Sequence, residues 1–511
     1  MSTSTQKHVV AFPFQAWGHC RPLITLAARF VKLRPVYVTF LTTSMVYDKV
    51  QAELARNFEP GEEESAGRVR VISIDEGQFL TSESIDASFK TTWAKLIASE
   101  ELTCAKTGTT YSALVKPQAI IVDFFGVATV AAVRELSAHT VKIYSWHPGS
   151  TFATFYLFGP EKFGGKGDVA TKAEIEAKRS GRPYEEVVKE MLFTPKGQIV
   201  KVPGLPPMYD YEYYPQDFPI PEQVAIPIFP RVFETVMSCD GVLLFTPESY
   251  EPEAVAAARA WTAETGRTTY LCGPLLPTGS QAAANEKKQS KETGEIEEFL
   301  ETTLKTSGEK SLLYISFGSV FWPVKTPEKL WAFLDVVMER NIPFILSHAS
   351  PFASIPDEVK EKVKLYGKGL LSPWTPQQTI LEHPATGWFL AHGGHNGVTE
   401  AISIGVPMIF WPFGGDQSLN TVHMTDNLNV AYELIEVRTG HGLHEICRNG
   451  RKPIGTVEAV KDEARDILAK AFGEDGAQKR ERLKALTSAL KHEWEEGGSS
   501  LRDVTAFLDQ L

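Results

Sequence analysis

The stretch Gly387-Trp-Phe-Leu-Ala-His392-Gly-Gly-His-Asn-Gly-Val-Thr-Glu400 decides the fold class. Its apolar run 387–391 reads as a buried strand, Gly393 and Gly394 as a tight turn, and the residues from about Val398 as a helix carrying Glu400. A strand handed to a helix through a short glycine-rich loop is the unit of a parallel, doubly wound α/β sheet. Further strands read at 407–411 downstream and at 311–317 and 343–346 upstream, with a helix over 327–339. Charged, helical sequence fills 457–511, broken at Gly497-Gly-Ser-Ser.

The same alternation runs through the first half. The apolar run 8–14 leads through a turn at 15–20 into a helix that has Pro22 near its first turn, and 36–41, 69–74 and 119–122 read as buried strands. Between the halves, 163–230 is rich in Pro and Tyr and reads as irregular chain that covers a site or joins domains. The polar segment 278–294 has the composition of a flexible linker. The boundary is placed near it, giving units 1–265, 266–475 and 476–511.

With 511 residues, 43% apolar and 11% aromatic, the chain has material for two large cores. A formal net charge of -11 argues against a nucleic-acid or anionic-membrane partner, since both need a basic field. Five scattered cysteines, Cys20, Cys104, Cys239, Cys272 and Cys447, never fall into metal-binding pairs and suit a reduced, cytoplasmic compartment. No signal-peptide pattern opens the chain, and no apolar run reaches the roughly 20 residues of a membrane span.

Glycines let a backbone approach a ligand, and the open amides of a helix N-terminus attract phosphate. The turn after His392 therefore reads as a diphosphate site, in which His392 and Asn396 can donate hydrogen bonds to phosphate oxygens; by itself it reads equally as a tight connection. Trp374 could stack on a flat base or belong to the core, Glu400 could accept from a ribose diol, and Asp416-Gln417 could bind sugar hydroxyls or lie in a solvated loop.

Taken together over 374–420, these residues resemble, in order and spacing, the signature of the family 1 UDP-glycosyltransferases. The resemblance implies that Trp374 stacks on uracil, that Glu400 takes the ribose, and that Asp416 and Gln417 bind the sugar. It further implies that His392, Gly394, Asn396 and Gly397 meet the phosphates, that Gln377 belongs to the donor site, and that Ser319 of Ser316-Phe-Gly-Ser lies near the diphosphate. Where plant members usually have His-Cys-Gly-Trp-Asn-Ser, this chain has His-Gly-Gly-His-Asn-Gly, so His395 replaces a Trp and Gly397 a Ser. The closing Gln417 resembles glucose-using members, and UDP-glucose is the expected donor.

Transfer to an alcohol needs a base, and His19 lies in the turn after the first strand, at the carboxyl edge where doubly wound sheets bind ligands. Asp123 ends another strand at the same edge and could fix the imidazole's tautomer. Helix capping is the other reading of both, and the resemblance assigns them the base and its orienting acid. His147 could touch donor or acceptor. Trp17, Phe79, Phe124 and Phe152 suit an apolar acceptor pocket, with core packing as their alternative, and of the adjacent Phe124 and Phe125 one is expected to face it.

The implied architecture is GT-B: two facing Rossmann-like domains, with the C-terminal helices crossing back to the first. The implied reaction is inverting transfer of glucose from UDP-glucose, as co-substrate, to a hydroxyl of a small lipophilic acceptor. It would use a His-Asp dyad and neither metal nor cofactor, and the chain has no Asp-x-Asp triplet of the metal-chelating kind. A UDP-sugar epimerase or hydrolase of the same fold, and a non-catalytic nucleotide-sugar-binding protein, are the alternatives.

Overall fold

The computed structural model describes residues 6–75, 82–217, 222–287 and 293–511. Two all-parallel sheets carry the fold. The first runs, from one edge to the other, Thr268–Leu271, Gly241–Leu244, Lys142–His147, Ala119–Asp123, Lys7–Phe12, Val36–Thr42, Val69–Ser73. The second runs Gly369–Ser372, Phe344–Ser347, Leu312–Ser316, Thr386–Ala391, Met408–Phe410, Tyr432–Glu433. Their central strands are buried along their length, as a sheet covered by helices on both faces requires.

The expected unit boundary at 265 falls short of the fold. Thr268–Leu271 pairs with Gly241–Leu244 as the edge strand of the first sheet, so the crossing to the second domain follows it. This strand is four residues long and begins exposed, so it carries little periodic signal. The third unit also divides differently. Helix Glu474–His492 stays on the second domain, burying Leu483 and Leu490 there, while helix Ser499–Asp509 alone returns, placing Val504, Phe507 and Leu508 in the first domain's core. Trp494 marks the crossing, donating from Nε1 to the Pro274 carbonyl at 2.7 Å.

The segment expected to be irregular contains helices Val169–Ser180 and Tyr184–Phe193, whose apolar faces bury Ala173, Val187 and Val188 against each other. Its later part docks on the second domain: buried Glu212 accepts from Arg448 Nη1 at 3.2 Å and from the Cys447 amide at 3.0 Å. The five cysteines are free thiols. Among the described residues no helix is long and apolar enough to cross a membrane.

Candidate active site

In a doubly wound sheet a crevice opens where neighbouring strands send their connections to opposite faces. In the first sheet Lys7–Phe12 and Ala119–Asp123 are such neighbours; in the second, Leu312–Ser316 and Thr386–Ala391. The carboxyl ends of both pairs line one cavity of about 490 Å³ between the domains.

On the first wall, helix Trp17–Leu33 begins two residues earlier than His19, which therefore sits in its first turn instead of on the preceding loop. Its Nδ1 lies 2.8 Å from Asp123 Oδ2, and the other Asp123 oxygen accepts from the Phe125 amide at 3.1 Å. Asp123 is 2% exposed and the His19 side chain 20%, so the acid is sealed while the imidazole reaches the cavity. Phe14, Phe124 and Phe125 surround the ring, with centroids 5.4, 5.8 and 5.7 Å away. Phe124 and Phe125 both line the cavity, where one was expected, together with Trp17, Leu157, Phe158 and Phe229.

Two expected acceptor residues do not reach it. His147 is buried, its Nδ1 3.1 Å from Thr154 Oγ1 and its Nε2 3.0 Å from Ser145 Oγ, and desolvation pushes its pKa down to about 4. Both ring nitrogens are spent inside the protein. Phe152 is wholly buried and packs on His423 with centroids 4.9 Å apart, in the core on the other side of its helix. Phe79 lies outside the described residues.

On the second wall, the helix after His392 begins at His395, with extended Gly394 as its N-cap. The expected start near Val398 was too late, because Gly397 costs little in a first turn whose amides lack intrahelical acceptors. His392 lies between two glycines: a Cβ on Gly318 would come within 2.9 Å of Cε1, and one on Gly394 within 2.5 Å of Nε2. Phe321 covers it at 5.5 Å, and desolvation pushes its pKa down to about 4, so it stands neutral at pH 7.

Asp416 opens helix Asp416–Val422 and accepts the His395 amide at 3.0 Å. Burial raises its pKa to about 6. Gln417 turns its carbonyl oxygen to the Phe413 amide at 2.8 Å. Asn396 Nδ2 donates across the gap to the Gly18 carbonyl at 3.0 Å. His395 is buried, with Phe245 against its ring at 5.2 Å, and belongs to the seam between the domains.

Gln377 accepts from the Tyr314 hydroxyl at 3.3 Å and donates through Nε2 to Glu400 Oε2. Trp374 lines the cavity with the Lys49 ammonium 5.2 Å from its ring centroid. The cavity thus gathers every expected donor residue, from Ser319 to Gln417, opposite His19. Sequence reasoning missed Arg21, Glu53, Arg56 and Tyr314. Only Arg21 left a signal, as a charge two residues after His19 at the head of an apolar helical run. Among the described residues no group of three His, Cys, Asp or Glu is placed to hold a metal.

Residues 226–443 match the family model described as UDP-glucoronosyl and UDP-glucosyl transferase. The chain is similar to the UDP-glycosyltransferase eriJ of Hericium erinaceus, 30% identical over 521 residues that cover 99% of each. It is 25% identical over 539 residues to a nuatigenin 3-beta-glucosyltransferase of Solanum aculeatissimum, covering 99% of this chain and 97% of that one. Among solved structures, a transferase from Siraitia grosvenorii in complex with UDP has a TM-score of 0.67 at 20% identity, with 99% of each chain covered. A Medicago truncatula transferase complexed with UDP-glucose has 0.66 at 18% identity, covering 99% and 98%. The fold they share with this chain is the GT-B arrangement.

Proposed function

The chain belongs to the UDP-glycosyltransferase family and takes a UDP-sugar as co-substrate; on that premise we propose that it moves glucose, with inversion, onto a hydroxyl of a small lipophilic acceptor. The observation that carries the reading is the 2.8 Å bond between His19 and a sealed Asp123, with the imidazole on the cavity wall opposite the donor residues.

In this reading Asp123 holds Nδ1–H, which leaves Nε2 as the proton acceptor. The acceptor O–H gives its proton to Nε2 as its oxygen attacks the anomeric carbon, and the bond from that carbon to the diphosphate oxygen breaks on the far side. An α-linked donor therefore yields a β-linked product. The base stacks on Trp374, the ribose meets Glu400 beside Gln377, and the sugar lies on Asp416 and the Gln417 amide. The departing diphosphate lies between Ser319 and the first turn of the helix that begins at His395, with His392, Gly394, Asn396 and Gly397 around it.

Preorganised amides and the positive end of a helix answer the leaving-group charge, so no bound cation is required. Activity unchanged in excess EDTA is expected; loss that manganese restores would refute metal independence. The acceptor wall of Trp17, Phe124, Phe125, Leu157, Phe158 and Phe229 supports a lipophilic acceptor. A screen of phenols, sterols and other apolar alcohols with UDP-glucose, read by mass spectrometry and by the anomeric coupling of the product, tests the whole reading. An α-linked product would end the inverting mechanism, and transfer only from another UDP-sugar would end the glucose assignment.

A further inference from the structure

The first turn of helix Trp17–Leu33 makes three separate attachments. Gly18 accepts from Asn396, His19 binds Asp123, and Arg21 crosses the cavity to Glu400, with Nη2 2.6 Å from Oε1. Arg21 Nε also donates to Glu53 Oε1 at 3.0 Å. Glu53 Oε2 accepts from Arg56 Nη1 at 2.8 Å, and Arg56 reaches Gln378 and, at 3.5 Å, Glu286. Glu286 in turn accepts from the Gln378 and Thr379 amides at 3.1 and 2.9 Å.

Charges of alternating sign therefore run Glu400, Arg21, Glu53, Arg56, Glu286, from the second domain into the first and back to the helix that follows Trp374. Glu400 is 0% exposed, Glu53 1% and Arg56 3%.

Buried ion pairs seldom stabilise a fold better than apolar packing of the same volume, because desolvating the charges offsets their attraction. This ladder ends on the carboxylate that the proposed reading needs ionised and aimed at the ribose. A carboxylate offers about four lone-pair sites. Arg21 pairs ionically with Oε1, which accepts no hydrogen bond among the described residues, and Gln377 donates to Oε2, so three sites, two of them on Oε1, are left for a vicinal diol.

We propose that Arg21 is a donor-positioning residue: its guanidinium fork, anchored on Glu53, aims the Glu400 carboxylate at the ribose and sets the nucleotide's register against His19, two residues away on the same helical turn. A lysine could not serve, since a point ammonium cannot span Glu53 and Glu400 as the planar fork does. The proposal rests on the assignment of the ribose to Glu400 made above.

Calorimetric binding of UDP and 2′-deoxy-UDP to wild type, Arg21→Met and Glu400→Gln separates the two. Wild type is expected to favour UDP about tenfold, the usual size of a lost charge-assisted hydrogen bond, and both variants to bring that preference close to unity. Equal binding of the two nucleotides by wild type would remove the ribose from Glu400. A preference that Glu400→Gln abolishes and Arg21→Met retains would overturn the role of Arg21 and leave the ribose assignment standing. Should Arg21→Met fail to fold, Glu53→Gln keeps Arg21 and weakens its anchor to a neutral hydrogen bond; a several-fold drop in preference is expected, and an unchanged preference overturns the proposal.

Discussion

The two sheets open the same kind of crevice and fill it differently. At the first, between Lys7–Phe12 and Ala119–Asp123, two titratable side chains meet at 2.8 Å inside a bank of phenylalanines. At the second, between Leu312–Ser316 and Thr386–Ala391, glycines bring backbone close to the cavity and a neutral imidazole is wedged between Gly318 and Gly394. The fold supplies the position twice. A site that makes and breaks an O–H bond needs side chains that ionise, whereas one that receives a diphosphate can be built from amides and a helix end.

The largest test of this division is His19→Ala. It should lower kcat about a thousandfold, the scale of a lost general base, with the Kd for UDP unchanged. Asp123→Asn should do much the same, and the double variant little more, because the pair acts as one unit. A parallel loss of UDP binding in any of them would show that the walls do not divide the work.

On the second wall, Gly394→Ala pushes a methyl to within 2.5 Å of His392 Nε2. UDP affinity should fall roughly thirtyfold, the consequence of about 2 kcal/mol of overpacking. Calorimetry decides it, and unaltered affinity would mean that the imidazole is not part of the phosphate site.

The donor wall was legible for the same reason that it is built from backbone. Apart from Ser319, its residues lie close along 374–420, where strand, glycine turn and helix N-terminus fix each other locally, and the error in helix start shifted no residue off the wall. Asp123 was legible as the last residue of a strand, and His19 as a residue soon after another, although it stands in the first turn of the helix that follows.

The acceptor wall was legible only in part: Trp17 and Phe124 line the cavity as expected, but residues near 17, 124, 157 and 229 meet only through the tertiary fold, and an aromatic residue carries no mark of which side of its helix is core. Phe152 and Leu157 share helix Thr151–Phe158, yet the first is buried behind the site and the second faces it. His147 ends its strand as Asp123 does, yet neighbouring hydroxyls absorb both of its nitrogens. The edge strand Thr268–Leu271 escaped because four residues give periodicity too little to work with.

Asp416 sharpens the contrast in a pH profile. Burial lifts its pKa to about 6, so below that pH it holds a proton and loses the acceptor that the proposed function gives to the sugar hydroxyls. KM for UDP-glucose should rise about tenfold between pH 7 and pH 5, one decade for each unit below the pKa. Asp416→Asn should have a flat KM over that range, and a slope that survives the substitution would assign the titration elsewhere. On the acceptor side, Phe229 stacks on Phe125 at 5.1 Å with planes 3° apart. Phe229→Ala should raise the acceptor KM about fivefold for bulky apolar alcohols, with donor KM unmoved; a change in donor KM instead would place Phe229 outside the acceptor wall.

The smallest effect is expected where the two walls meet. Glu251 accepts from the Thr151 amide at 2.7 Å and the Thr246 hydroxyl at 3.1 Å, its other oxygen has no hydrogen-bond partner among the described residues, and burial pushes its pKa from 4.5 up to about 8. The folded state therefore keeps a proton that the unfolded chain releases near pH 4.5. Stability from this group is fully present below that pH and declines up to about pH 8, where the folded state ionises too. Glu251→Gln keeps the shape and cannot ionise, so its Tm relative to wild type should climb by roughly 2 °C from pH 5 to pH 8. Parallel melting curves across that range would mean that Glu251 ionises at its ordinary pH, and that the seam beside Asp416 holds two carboxylates instead of one.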